Sequence, residues 1–408
     1  MGGFFTKKEM ESSSRPDGKT YSCVSCGLHK YCKSPKMEAF GNFKKGILNI
    51  GEAPGEAEDR VGKPWQGRTG KLLEKTYASL GIDLFEDCLN INAINCHPED
   101  NRTPDNYEID CCRKIVLRVI DERKPKLIIA LGNSAIYSLF GRRWKKDLGG
   151  ISKWRGWTIP DQDLNAWVCP TFHPSYVERE NAQEVDTIWK DDLKQAFELV
   201  AGSRSVPFPV YKEPHVEFIA DLSRLRKEIP SGSIVAFDYE TTGLKPHATG
   251  HRVVCASVAT SGDHAYTFFI PDRRKDVLPF IELLKDPTIG KMAHNMKFEE
   301  AWSSEIFLAP VQNWEWDSML AAHLLDNRQG ITGLKFQTFV NFGVVDYASE
   351  ISPYLHSVDQ KDGNAFNQID KLLDLPGGRE KLLMYCALDS IFEYKLAMVQ
   401  RSEIILPF

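Results

Sequence analysis

The chain has 408 residues, more than one typical hydrophobic core holds, so two domains are expected. A net charge of −5 excludes a uniformly basic nucleic-acid binder, although local basic grooves stay open. No segment reaches the uncharged apolar length that crosses a bilayer, and MGGFFTKKEMESSSRPDGK lacks the apolar core of a signal peptide. A cytoplasmic setting follows as the expectation, in which the ten cysteines read as metal ligands or buried small hydrophobes rather than disulfides.

Residues 1–20 are polar and expected to be loose. From Gly46 the pattern turns α/β. ILNIG reads as a buried strand, GRTGKLLEKTYASLG as a helix, LNINAINC as a strand and IDCCRKIVLRVIDERKPK as a long helix. LIIALG is a short continuous apolar run, the signature of a parallel strand covered on both faces. AWVCPTFHP adds a late strand and TIWKDDLKQAFELVAG a closing amphipathic helix. This alternation predicts a parallel sheet with helices on its faces over 21–201.

GSRSVPFPVYKEP has no hydrophobic period, which places a linker at 202–215. A second α/β unit is expected over 216–408. SIVAFDYETTG and RVVCASVATSGDHAYTFFI read as strands of a meander, with helices around 277–284, 298–304, 318–325 and 378–399. Internal repeats and low-complexity tracts are absent from the sequence.

Acidic residues concentrate in the second unit. Asp238 and Glu240 stand two apart at the end of an apolar strand, a spacing that turns both carboxylates to one face. HNMKFEE adds Glu299 with Glu300 as its neighbour, and YCALD places Tyr385 and Asp389 one helical turn apart. A solvated helix face would explain YxxxD alone. Four carboxylates gathered from three segments point instead to hard divalent cations.

These segments, with DSMLAAHLLD and LKFQTFVNFG between them, resemble the 3′–5′ proofreading exonuclease domain of DNA polymerase I, with its RNase H-like α/β fold and mixed sheet. The resemblance implies two Mg²⁺ or Mn²⁺ ions held by Asp238, Glu240, Glu299 and Asp389. It implies a water oriented by Tyr385 and substrate placed by Asn295. One position departs from the family: Glu299 stands where aspartate is usual, and Glu300 is a weaker alternative for its role.

The first unit carries other signals. GEAPG directly follows a strand, and ligand sites of parallel sheets lie beyond the strands' carboxyl ends, although an ordinary strand-to-helix turn reads the same way. Cys23-x-x-Cys26, with Cys96 and Cys112 downstream, suits zinc or an iron–sulfur cluster. Spacing alone does not separate these two, and Cys111 rivals Cys112. The remaining cysteines read as core or surface thiols.

Together with EDRVGKPWQGRTG, NINAINCHPEDNRTP, KPKLIIALG, SKWRG and TFHPSY, this constellation resembles a family 4 uracil-DNA glycosylase over about 23–200, a three-layer α/β/α fold with a parallel sheet. The resemblance implies a structural [4Fe–4S] cluster on Cys23, Cys26, Cys96 and Cys112. It gives Asn92 and His173 to uracil recognition and Glu52 to the attacking water. Glu58 would crowd the C5 position, and Ala53 stands where other glycosylase families carry aspartate. Trp65 would hold the flipped base; phenylalanine is usual there, and Gln66 replaces a common valine. Arg142, Arg143, Lys145, Lys146, Lys153 and Arg155 fit a solvated loop or a phosphate-contacting surface equally well.

The tandem resembles the front half of certain phage family A DNA polymerases. Too few residues follow the last helix for a palm and fingers, so a polymerase on a separate chain is the expected partner, with the apolar tail IILPF as one docking element. The substrates expected are uracil-containing DNA and single-stranded 3′ ends. Two other readings remain: a non-catalytic uracil- or DNA-binding first domain, or an exonuclease silenced by Glu299.

Overall fold

The computed structural model describes residues 21–144, 147–201, 206–345, 347–357, 359 and 361–404. The expectation of a loose segment at 1–20, Lys145 and Lys146, and most of the IILPF tail lie outside them. The chain divides into two compact units, Met1–Tyr211 with Phe339–Asp346, and Lys212–Thr338 with Tyr347–Phe408.

The first unit is built on a five-stranded sheet of β1 (Ile47–Gly51), β2 (Cys88–Asn92), β3 (Leu127–Leu131), β4 (Ile159–Asp161) and β5 (Ala166–Thr171), in the order β2-β1-β3-β5-β4. β1, β2, β3 and β5 run parallel, and only the short edge strand β4 runs against β5. Every residue of these five strands is buried. That is why LIIAL and AWVCPT read as unbroken apolar runs rather than alternating ones. Strand β4 escaped the sequence reading because three residues with a proline carry no period. LNINAINC holds a strand only to Asn92; its remainder is the loop that carries Cys96.

Helix α1 (Glu56–Val61) follows the GEAPG loop, and α2 (Arg68–Ser79) follows next. Helix α3 (Asn106–Arg123) starts at a capping box: Asp105 accepts from the Glu108 amide at 2.8 Å, and Glu108 accepts from the Asp105 amide at 3.0 Å. Such a cap is worth about 1 kcal/mol and fixes where the cysteine-bearing turn begins. Helices α4 (Asn133–Phe140), α5 (Pro174–Glu180) and α6 (Gln183–Ala201) complete the parts used below. The core gathers Leu73, Tyr77, Leu127, Leu131, Trp189 and Phe197.

The second unit has a six-stranded mixed sheet of β6 (His215–Phe218), β7 (Ile234–Thr241), β8 (Val253–Ser261), β9 (His264–Phe269), β10 (Gly290–Ala293) and β11 (Trp314–Asp317). Its order is β11-β10-β7-β8-β9-β6. The predicted meander is the antiparallel run β7-β8-β9, and β6, β10 and β11 add by parallel pairing. These three have only four residues each, too short for a clear alternation. Around the sheet stand α7 (Arg274–Lys285), α8 (Met296–Ile306), α9 (Ser318–Leu325), α10 (Leu334–Phe342) and the long α11 (Gly378–Glu403). No helix among the described residues is long and apolar enough to cross a membrane.

Candidate active sites

The carboxyl ends of the parallel strands bring the first set of predicted residues together. Gly51 ends β1 and Asn92 ends β2, directly opposite one another in register. A Cβ on Gly51 would stand 2.4 Å from the Asn92 amide oxygen and 3.0 Å from the Trp65 ring, so only glycine permits this approach. Trp65 adopts φ 61°, a left-handed backbone rare for a bulky residue, and its ring is buried with Nε1 unpaired. The indole lies 5.7 Å, centroid to centroid, from the His173 imidazole at 34°.

His173 is set by local chemistry. Pro174 opens α5 and holds the preceding residue extended, at φ −69° and ψ 137°. His173 is then the N-cap, and its Nδ1 accepts from the Ser175 amide at 3.3 Å with Ser175 Oγ 2.7 Å away. Burial, assisted by Arg179, lowers its pKa to about 4. A neutral ring that accepts at Nδ1 carries its proton on Nε2, so the free nitrogen is a hydrogen-bond donor. Gly132, at φ 86°, lets the β3 end pass the imidazole: a Cβ there would stand 3.0 Å from His173 Cβ.

Glu52 accepts from Ser134 Oγ at 3.0 Å. Glu58 accepts from the Gly55 and Gly67 amides at 3.1 and 3.0 Å, so it braces the GEAPG loop against the loop that carries Trp65. Gln66 donates to the Pro64 carbonyl instead of lining the pocket wall.

Ala53 packs against an apolar patch of Leu28, Ile94, Cys96, Ile109 and Cys112, which Cys26 and Cys32 also touch. All ten cysteines are free thiols. Burial pushes Cys112 up to about 12, with Cys26, Cys96 and Cys23 adding to it; Cys96 is likewise pushed up to about 12, with Cys32 and Cys26 contributing. Thiols that raise one another in this way are suited to a shared cation, which removes that repulsion. Cys111 faces the Ser22 backbone and Tyr107, with Cys26 nearby. Cys32 had been read as an ordinary thiol, yet it sits against Cys96.

The basic stretch is largely neutralised. Arg143 is buried on Asp161 and Asp163, Arg142 pairs with Asp110 at 3.1 Å, and Arg155 pairs with Asp192 at 2.8 Å. The guanidiniums of these three arginines thus serve carboxylates of their own unit, and only that of Arg143 is fully buried.

In the second unit β7 presents Asp238 and Glu240 to one face. Single ligand atoms of Asp238, Glu240 and Cys386 lie within 4.8 Å of one another. Asp389, one turn after Tyr385 on α11, accepts from Lys335 Nζ and from the Tyr347 hydroxyl. Lys335 also stands 3.9 and 4.3 Å from the ring centroids of Tyr347 and Tyr385. Burial raises the carboxyls of Asp238, Glu240 and Glu299, and neighbouring acidic groups raise them further. Glu299 is 2 % exposed and its Oε2 has no hydrogen-bond partner among the described residues.

Glu300 points elsewhere. It accepts from Ser304 at 2.8 Å, from the Val311 amide at 3.2 Å and from Trp314 Nε1 at 3.0 Å. Asn295 is left-handed at φ 77°, and its amide and that of Met296 donate to Asp317 at 3.1 and 3.0 Å. Sequence reasoning missed Lys335, Tyr347, Ser134 and Ser175. A lysine inside the apolar LKFQTFV was the available signal for the first.

The Uracil DNA glycosylase superfamily model matches residues 38–193, and a 3′–5′ exonuclease model matches residues 216–397. A type-4 uracil-DNA glycosylase of Pyrobaculum aerophilum is 36 % identical over 40 % of this chain and 82 % of its own length. One from Thermotoga maritima is 35 % identical over 43 % of this chain and 87 % of its own. A DNA polymerase of Bacillus phage SP01 is 25 % identical over 72 % of this chain, a span that covers 34 % of that protein. The expected fusion is therefore present, a uracil-DNA glycosylase domain followed by a 3′–5′ exonuclease domain built on a mixed sheet, and both domains are DNA hydrolases. Cysteine thiols and acidic groups of the kinds that hold a [4Fe–4S] cluster and divalent metal are present. Through its first domain the chain belongs to the type-4 uracil-DNA glycosylases, with a 3′–5′ exonuclease domain joined behind.

Proposed function

We propose that the first site hydrolyses the N-glycosidic bond of uracil nucleotides through Asn92, His173 and Glu52, and that the second trims 3′ ends at Asp238, Glu240, Glu299 and Asp389. The observation that carries the first reading is the neutral His173, whose Nδ1 is held by the Ser175 amide and whose ring lies 5.7 Å from that of Trp65, itself gathered with Asn92 at Gly51. The Asn92 amide offers one donor and one acceptor to the amide edge of uracil. His173 Nε2–H donates to uracil O2 as negative charge builds on the departing base. Glu52, oriented by Ser134, positions the attacking water. Glu58 shapes the wall beside the base by holding two loops together.

Cys23, Cys26, Cys96 and Cys112 would hold the [4Fe–4S] cluster, which, when bound, ties the N-terminal segment to the sheet and to α3. In the second site, divalent ions supply activation of water and stabilisation of the leaving 3′ oxygen. The protein's part there is to gather the carboxylates, to orient the water with Tyr385 and to position the strand end near Asn295. The functional domains are assigned to 21–201 and 216–408 about a 202–215 linker. Similarity to a phage DNA polymerase supports a role beside replication.

The test is uracil release from a single-stranded oligonucleotide in EDTA, with a thymine control. Release from uracil alone is expected, because glycosidic hydrolysis needs no divalent ion. Its absence in cluster-loaded protein would leave a binding module followed by the nuclease as the only enzyme.

A further inference from the structure

Glu393 lies one helical turn beyond Asp389 and two beyond Tyr385 on α11, so the three share one face of that helix. This face packs on the sheet that carries Asp238 and Glu240. Glu393 is 1 % exposed, and its Oε2 has no hydrogen-bond partner among the described residues. A carboxylate in that condition costs several kcal/mol unless a cation or donor meets it.

A second orphaned oxygen lies in the same cluster, Glu299 Oε2. Burial raises the carboxyls of both glutamates, Asp238 adds to both shifts, and Glu299 adds to that of Glu393. Two buried carboxylate oxygens without donors, arriving from α8 and α11 beside Asp238, define a place where positive charge is missing. The nearby ammonium of Lys335 is engaged elsewhere, on Asp389 Oδ1. With Glu393 the acidic residues of the candidate centre number five: Asp238, Glu240, Glu299, Asp389 and Glu393. Two divalent ions and Lys335 would balance their charge one for one.

We propose that Glu393 is a fifth carboxylate of the divalent-metal centre, donating through Oε2 to the cation held on the Glu299 side. This rests on the exonuclease reading of the second site. Glu393 is a metal-holding group and leaves the orientation of water to Tyr385. The competing explanation is a protonated glutamic acid that merely fills the core, and the neutral isostere separates the two.

The experiment is calorimetric titration of Mn²⁺ into the chelator-stripped, cluster-loaded full chain, with free Mn²⁺ followed by electron paramagnetic resonance. Wild type, Glu393→Gln, Glu393→Asp and Asp238→Ala are compared. Wild type is expected to bind two Mn²⁺. Glu393→Gln is expected to weaken one of them by about 10- to 100-fold while its unfolding midpoint in EDTA stays at or above that of wild type. Glu393→Asp keeps the charge and should recover part of the affinity; it also serves as the readout if the glutamine variant does not fold. Wild-type Mn²⁺ binding by Glu393→Gln, alongside its loss in Asp238→Ala, overturns the role of Glu393 alone. Unchanged binding in Asp238→Ala as well overturns the metal-centre reading itself.

Discussion

Gly51 and Asn92 face each other across β1 and β2 so closely that a methyl group on Gly51 would overlap the Asn92 amide oxygen. The same methyl would press on the Trp65 ring, so one absent Cβ fixes both groups of the candidate uracil pocket. Gly51→Ala should displace Asn92 and lower uracil release by about 100-fold, since catalysis tolerates little misplacement. Metal-dependent 3′ trimming by the same preparation should be unchanged. Equal loss of both activities would point to misfolding instead.

His173 gives two outcomes. Replacing it with alanine removes the donor to uracil O2 and should cost about 10²- to 10³-fold in the rate of release. Its pKa of about 4 in the folded chain lies below the usual histidine value of about 6.5. Between those values the unfolded chain binds the extra proton, so the neutral histidine's contribution is complete above about pH 6.5. It is lost as pH falls toward 4, in total about 3 kcal/mol. Unfolding midpoints at pH 7 and pH 4.5 should therefore converge more closely in His173→Gln than in wild type.

Trp65 combines a buried, unpaired Nε1 with a left-handed backbone. Trp65→Phe removes the orphaned donor and keeps an aromatic face, so uracil release should stay within about tenfold of wild type. Trp65→Ala loses the face and should fall by about 10- to 100-fold, the usual worth of one base stack. Steady-state kinetics on a uracil-containing single strand checks both.

Cys112 belongs to the thiol group with Cys23, Cys26 and Cys96, whereas Cys111 looks toward Tyr107 and Ser22. Cys112→Ser should yield colourless protein with a lowered unfolding midpoint, and Cys111→Ser should keep the visible absorbance of the cluster. The reverse pattern would transfer the ligand role to Cys111.

Glu299 and Glu300 are adjacent and do different work. Glu299→Gln should reduce 3′ trimming by at least about 10³-fold, because each metal interaction supplies several kcal/mol to the transition state. Its unfolding midpoint in EDTA should rise, since a buried, unpaired carboxylate is gone. Glu300→Gln loses acceptor strength toward Ser304, Val311 and Trp314 and should lower stability by about 1–3 kcal/mol while trimming persists. Trimming assays and thermal unfolding on both variants separate the roles.

Much of this was legible in the amino-acid sequence because the informative signals are local. The strand end at Gly51, the HPSY motif at His173 and the two-residue spacing of Asp238 and Glu240 are facts that a few neighbours decide, whereas the strand end at Asn92 and the Ser175 amide on His173 came only with the structure. The short strands β4, β6, β10 and β11 were not legible, because three or four residues carry no period and pair only when a sheet edge is already present. Adjacent candidates were equally opaque: successive helical residues differ by about 100° in direction, and only packing shows which one turns inward. Tertiary structure buried Glu299 with its Oε2 unpaired among the described residues, gave Glu300 to Ser304, Val311 and Trp314, and paired Arg142, Arg143 and Arg155 with carboxylates of their own unit. It also brought Lys335, Tyr347 and Glu393 to Asp389 and its neighbours. Burial makes an unpaired charge costly, and that cost is set by residues remote in sequence, so no local pattern could have announced it.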